Sequence, residues 1–272
     1  MRSRPCLWLT LLFLCALRAT AQQGSAANPL NDLLPMQMNW DAYKSDDNAK
    51  PVTPLRFVPY AKHQQDGKTF TSYYVYADGL AQNRPYALIH WQIGWGAEQP
   101  PFQVDYTDLY VNARGVVMCQ KPAEKEVNSD ASDIDVDRRL DLIAAGAMGE
   151  PARYALMEGG TEVVAMGRLI VNPIQASDKG CQLQAIRAVG GAEIVLVEGT
   201  GFAAKSAVEL TSDPGGGQKT AKFKTDQNGR LETAVILMKP NLLQGTATIT
   251  LRSDACAPTV KFDWGHDTYK VQ

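Results

Sequence analysis

Short segments in which apolar and polar residues alternate dominate the C-terminal half of the chain. The alternation is clearest in residues 245–252 and 258–264, where threonine, lysine and aspartate face away from the apolar side. Glycine, proline, asparagine and aspartate cluster between the segments and predict turns. The predicted strands are 181–188, 193–199, 206–211, 220–224, 231–238, 245–252 and 258–264. This spacing predicts antiparallel sheets, each with one wet face, packed as a sandwich or barrel.

The N-terminal half also has strand-like patterns, but they are less regular. From about Pro51 the predicted strands are 69–78, 85–93, 115–119, 140–145, 152–157 and 161–171. In the second of these, Ile89 and Trp91 share one side, which we expect to face the core. No apolar pattern with a helical period lasts three turns. Residues 172–180 break the pattern with Pro173 and Gly180 and are interpreted as a domain boundary.

One stretch of the C-terminal half resembles a known family. Residues 199–202 read Gly-Thr-Gly-Phe and are followed by Val208 and Leu210. They resemble the G-x-G-F…V-x-L opening of bacterial immunoglobulin-like repeats, including the IPT/TIG type. Residues 223–229, followed by Leu231, are similar to the F-x-T-D-x-x-G-x-L hairpin of the same repeats. The resemblance covers residues 181–265 and implies adhesion, spacing or ligand display outside the cell, with no single chemistry.

These patterns together predict an all-β protein with two immunoglobulin-like β-sandwich domains in tandem after a signal peptide. Residues 51–173 are expected to form a more divergent β-sandwich, and residues 174–265 the immunoglobulin-like one. Residues 22–50 are polar and are expected to be a flexible lead-in, and residues 266–272 a tail.

The first 21 residues predict the compartment. Arg2 and Arg4 precede an apolar run over residues 6–17, and an Ala-Thr-Ala site ends at Ala21. This is the pattern of a secretory signal peptide, so we expect a secreted or periplasmic protein. No later segment is long and apolar enough to predict membrane insertion after cleavage. The net charge of −2, without clustered basic residues, argues against a nucleic-acid partner.

Three cysteines remain after the predicted cleavage. Cys181 and Cys256 lie on the apolar sides of the first and last predicted strands of one domain, which can run side by side. In an oxidising compartment this placement predicts a disulfide, and two separate buried thiols are the alternative. Cys119 is then left over, either buried or available to another chain.

Aromatic residues are the best candidates for ligand contact. Tyr73 and Tyr74 must point to opposite sides of their strand, so one side carries aromatics outside the core. Tyr74, Tyr76 and Trp95 could form a platform for a sugar or a protein partner. The alternatives are a contact between domains and ordinary packing.

Catalytic and metal chemistry have weaker support. Cys119 with His63 or His90 as a base is conceivable, but no motif places them together. The aspartates of residues 130–137 lack the Gly and Glu positions of an EF-type calcium loop and are interpreted as a solvated loop. No cofactor or metal is predicted. The predicted function is therefore non-enzymatic: binding or structural display outside the cytoplasm, towards an extracellular or periplasmic protein or glycan. A carbohydrate-binding module is the alternative, and a Cys-dependent hydrolase a distant one.

Overall fold

Strands make up nearly all the regular structure of the residues that the structure describes, as the sequence predicts. The computed structural model describes residues 52–91, 103–160, 162–188, 191–239 and 241–265. The predicted signal peptide, lead-in and tail lie outside these residues. The only helical turns in the described residues are two three-residue 3₁₀ turns, Glu124–Glu126 and Ala131–Asp133. No helix in these ranges has the length and apolar character needed to cross a bilayer.

The N-terminal half, residues 52–171, is one eight-stranded sheet. Its strands are β1 Thr53–Gln65, β2 Lys68–Ala77, β3 Tyr86–Trp91, β4 Gln103–Val111, β5 Val117–Met118, β6 Asp141–Ala144, β7 Ala152–Glu158 and β8 Glu162–Leu169. The hydrogen-bonded order is β5-β4-β3-β7-β8-β1-β2-β6, antiparallel except for a short parallel contact between β1 and β8.

This sheet folds over so that its two ends meet. Single backbone bridges pair Tyr76 with Val116 and Met118 with Arg139, which joins the β5 end to the β2–β6 end. The sequence predicts a β-sandwich of two sheets for residues 51–173, whereas the described residues there form one closed sheet. The sheet can close because the 13-residue β1 starts beside β8 and continues beside β2, and so links the two parts of the sheet. Gly167 of β8 lets β1 cross closely, because a Cβ there would lie 2.6 Å from the Leu55 carbonyl oxygen.

The core of the N-terminal half lies inside the closed sheet. It takes side chains from both ends of the strand order, including Leu88 of β3 and Val75 of β2. Ile89 is also buried, but in a small cluster with Ala155 and Met157 on the opposite face of its strand. Ile89 is thus buried, as expected, but in this smaller cluster and not in the main one. Both faces of this strand are apolar, so alternation could not identify the core side.

The C-terminal half, residues 174–265, is a sandwich of two four-stranded antiparallel sheets. Its strands are β9 Ile174–Asp178, β10 Cys181–Arg187, β11 Ile194–Thr200, β12 Ala207–Asp213, β13 Lys219–Lys224, β14 Leu231–Ile236, β15 Gln244–Arg252 and β16 Thr259–Gly265. The sheet orders are β14-β11-β10-β9 and β13-β12-β15-β16. Counted from β10, this is the arrangement A-B-E against C′-C-F-G of immunoglobulin-like sandwiches. The seven predicted strands match β10 to β16, whereas β9 lies where the sequence indicates only a break.

A disulfide closes this sandwich across its two sheets. Cys181 at the start of β10 is bonded to Cys256 just before β16, with the Cα atoms 6.3 Å apart. Both residues belong to the main apolar cluster, which also contains the fully buried Trp264. The predicted pairing is present, and Cys119 is a free thiol.

The two halves contact each other through a loop and an ion pair. Met148 packs against the C-terminal cluster, and the carbonyl of Gly149 accepts a hydrogen bond from the backbone N–H of Arg187. Arg168 of β8 donates two hydrogen bonds of 2.8 Å to the carboxylate of Glu198 on β11. A two-pronged, partly buried pair of this kind fixes orientation as well as adding energy.

Candidate binding surface on β1 and β2

The outer face of β1 and β2 carries the aromatic residues outside the core. Along β2, Tyr73 and Val75 point into the closed sheet, so Tyr74 and Tyr76 point outward, as alternation requires. On the neighbouring strand, Val58 pairs with Tyr74 and Arg56 with Tyr76. Two of the three predicted platform residues therefore share one face. Trp95 lies outside the described residues.

Tyr60 joins this face because of a β-bulge. The register of β1 against β2 shifts between Pro59 and Ala61, which leaves Tyr60 without a partner opposite it. Its ring stacks on that of Tyr74, with centroids 4.1 Å apart and planes 8° apart. The sequence analysis missed Tyr60 because a bulge adds one residue to a strand and leaves no mark in the alternation.

Arg139 holds the stacked pair. Its guanidinium carbon lies 5.2 Å from the ring centroid of Tyr60 and 4.8 Å from that of Tyr74. The same group donates hydrogen bonds of 3.1 Å to the Tyr74 hydroxyl and to the Ala131 carbonyl. One cation therefore contacts both rings and ties them to the loop that follows β5. We call Val58, Tyr60, Tyr74, Arg139 and Ile143 the tyrosine surface.

Tyr76 has a similar but separate environment. The guanidinium of Arg56 lies 5.0 Å from its ring centroid and donates two hydrogen bonds to Asp78. The cation is thus held by a carboxylate while it contacts the ring. Attraction between a cation and the face of an aromatic ring contributes about 0.5–1 kcal/mol at exposed sites.

The loop after β5 covers part of this face. Tyr74 and Tyr76 pack against a small cluster formed by Val116, Met118, Ala131 and Ile134. Both tyrosines are therefore half-buried rather than fully displayed. Burial is the main cause that raises the pKa of Tyr60, and Asp141 raises it further.

What remains accessible is an apolar strip beside the stack. Val58 is 40% exposed, Tyr60 37% and Ile143 55%. Ile143 lies on β6, opposite Ser72 of β2, so the strip runs across three neighbouring strands. A planar ring flanked by apolar side chains and an arginine has the composition of protein and sugar contact sites.

The aspartate-rich segment is part of a structured loop. Its base is the buried Asn112, whose side chain donates to the Glu126 and Ser129 carbonyls and accepts from two backbone N–H groups. Buried Glu126 forms an ion pair of 2.9 Å with Arg138. Among the described residues, no group of three or more potential ligands is placed to hold a metal ion.

The suggested hydrolase residues are occupied in other ways. Burial raises the pKa of the Cys119 thiol, and Asp141 adds to the effect, so the thiol is a poor nucleophile at neutral pH. His63 lies 3.0 Å from the Ser72 hydroxyl, and His90 lies 2.7 Å from both oxygens of Asp105. These contacts do not favour a Cys–His pair.

Comparison with known proteins does not assign a family. No family model and no curated protein matches the chain. Similar solved structures include a tetra-tandem repeat in the extending region of a large adhesion protein, at 12% identity and a TM-score of 0.25. That match covers 78% of this chain and 49% of the other. The BSP domain of a biofilm-associated protein matches at 8% identity and a TM-score of 0.22, covering 87% and 55%.

The FN1–FN3 domains of chicken CNTN1 match at 8% identity and a TM-score of 0.20, covering 78% of this chain and 65% of that one. This chain thus spans between about half and two thirds of the length of these structures. Scores this low establish neither a common fold nor a common role.

Proposed function

We propose that this chain is a non-enzymatic exported protein with a role in binding or structural display outside the cytoplasm. The tyrosine surface is its binding face. The observation that carries the proposal is the stack of Tyr60 on Tyr74 with Arg139 against both rings. Aromatic and arginine side chains dominate binding energy at interfaces because they bury much area with little loss of freedom. The fixed stack also reduces the ordering cost of binding.

Two further features support action outside the cytoplasm. The Cys181–Cys256 disulfide suits an oxidising compartment, in agreement with the leader predicted for residues 1–21. Mass spectrometry of the N-terminal peptide of the exported protein should show that it begins at Gln22, with its amine free or cyclised. A mature protein that retains Leu7 would contradict export by cleavage.

A carbohydrate ligand is the second candidate. The flat face of a tyrosine ring packs well against the apolar face of a sugar ring, and Tyr60 combines such a ring with 37% exposure. Arg139 and Asp141 lie close enough to Tyr60 to affect its pKa, so charged groups that can bond hydroxyls are at hand. Val58 and Ile143 favour a protein partner instead, because they add only apolar area.

An array of glycans and purified extracellular proteins, probed with the mature protein, separates these possibilities. Tyr60→Ala should abolish binding, whereas Tyr60→Phe keeps the ring and should retain most of it. Val104→Ala, on exposed β4, is a control for general surface change. Loss with Val58→Ala and Ile143→Ala as well would indicate a protein partner. Equal binding by the wild type and Tyr60→Ala would reject the tyrosine surface.

A further inference from the structure

The sheet edges of the C-terminal half are protected to different degrees. An edge strand presents unpaired N–H and C=O groups that can pair with another chain. The edges at β9 and β16 lie against each other across the sandwich. The edge strand β13 carries exposed Lys219, Lys222 and Lys224, and lysines on an edge oppose strand pairing.

The fourth edge, β14, lacks such protection. It pairs with β11 on one side and ends its sheet on the other, within the part of the chain that the structure describes. Its sequence, Leu231-Glu232-Thr233-Ala234-Val235-Ile236, contains no lysine or proline, and its register with β11 has no bulge. It is therefore a regular strand with an open side.

Exposed apolar residues concentrate at the end of this strand and in the segment that follows it. Ile236 is 41% exposed, Met238 62% and Leu243 87%, and Leu242 is also exposed. These four residues, within 236–243, are four of the ten large exposed apolar side chains in the described residues. Exposed apolar groups on an open strand and directly after it indicate an interaction site.

We propose that β14 pairs with β14 of a second copy of this chain, antiparallel about a two-fold axis through Ala234. A two-fold axis perpendicular to the sheet keeps the inner faces of both copies on the same side. Residues that lie opposite each other then have the same parity, so the axis passes between the two copies of one residue. With Ala234 on the axis, Glu232 lies opposite Ile236, and Arg230 lies opposite Met238. Two four-stranded sheets then join into one of eight strands.

Charge and size both fit this register. Neither Arg230 nor Glu232 faces a like charge, and their aliphatic stems can cover the exposed Ile236 and Met238 of the partner copy. Moving the axis to Thr233 would place Arg230 opposite Ile236 and Met238 opposite Asn228, whose short side chain covers less of it. The small Ala234 side chain lets the two strands approach at the axis.

Sedimentation of the mature protein over a range of concentrations tests the proposal. The wild type should form a dimer, and Ala234→Lys should raise its dissociation constant by about tenfold or more, because two lysines then face each other. Ala221→Lys makes the same change on edge strand β13 and should have no effect. A monomer at the highest soluble concentration, or a dimer insensitive to Ala234→Lys, would overturn the proposal.

Cross-linking provides a second, independent measurement. In a Cys119→Ser background, Ala234→Cys should form a disulfide between copies on mild oxidation, since Cβ atoms opposite each other on antiparallel strands are about 4.5–5.5 Å apart. Ala221→Cys should remain monomeric. Failure of Ala234→Cys to cross-link within a dimer would place the contact elsewhere. A monomer that pairs only with a strand from a different protein would likewise refute pairing between copies.

Discussion

Gly201, in the Gly-Thr-Gly-Phe segment, should be much less tolerant of alanine than the nearby Gly180. Both have positive φ, 78° and 89°, so alanine costs about 1–2 kcal/mol at either position for the left-handed backbone. Their surroundings differ. A Cβ on Gly201 would press on the Gly180 carbonyl group, with the carbonyl carbon 3.2 Å away and Cys181 Cα 3.3 Å away, whereas a Cβ on Gly180 meets nothing within 4 Å.

Only Gly201→Ala therefore requires the start of β10 to move, next to the disulfide. Overpacking of this kind costs about 1–3 kcal/mol more. We expect Gly201→Ala to lose about 2–5 kcal/mol of unfolding free energy, and Gly180→Ala about 1–2 kcal/mol. Urea unfolding with the disulfide intact, followed by far-UV circular dichroism, measures both. Equal losses would show that the turn relaxes freely and that the close approach of the two glycines carries no cost.

Three other measurements follow from the structure. Peptide mapping without reduction should recover Cys181 linked to Cys256, and reduction should cost up to about 4.5 kcal/mol, the entropy of closing a 75-residue loop. Residues 174–265 alone should unfold cooperatively, but less stably than in the full chain because Met148 is lost; a molten fragment would contradict this. Native Cys119 should alkylate several-fold more slowly than the unfolded thiol, because burial raises its pKa. The contribution of this raised pKa to the unfolding free energy is present below the ordinary pKa of a thiol and should be lost as pH rises through the pKa of the folded state.

The strands of the C-terminal half could be predicted from sequence because alternation there is clean. Predicted bounds for β10 to β16 lie within one or two residues of those observed. The missed β9, by contrast, has only Ile174 fully buried and lies between Pro173 and Gly180. Short, half-exposed strands next to turn residues look like turns, since their pairing is decided by the neighbouring strand.

The candidate surface was only partly predictable for a related reason. Alternation places Tyr74 and Tyr76 outside the core, but it contains no information about what covers them. The covering loop depends on Asn112 and on the Glu126–Arg138 pair, which are contacts between residues distant in sequence. The closing of the N-terminal sheet likewise depends on long-range bridges that no local pattern records.

The position of the Cys181–Cys256 bond has a mechanical consequence. A chain of 92 residues, such as 174–265, pulled from its ends would extend to about 320 Å if fully unravelled. The disulfide bridges a sequence separation of 75 and withholds about 260 Å of that length. Under tension, the C-terminal half could therefore reach an end-to-end length of only about 60 Å before a covalent bond carried the load. The disulfide limits this half to about a fifth of its unravelled length.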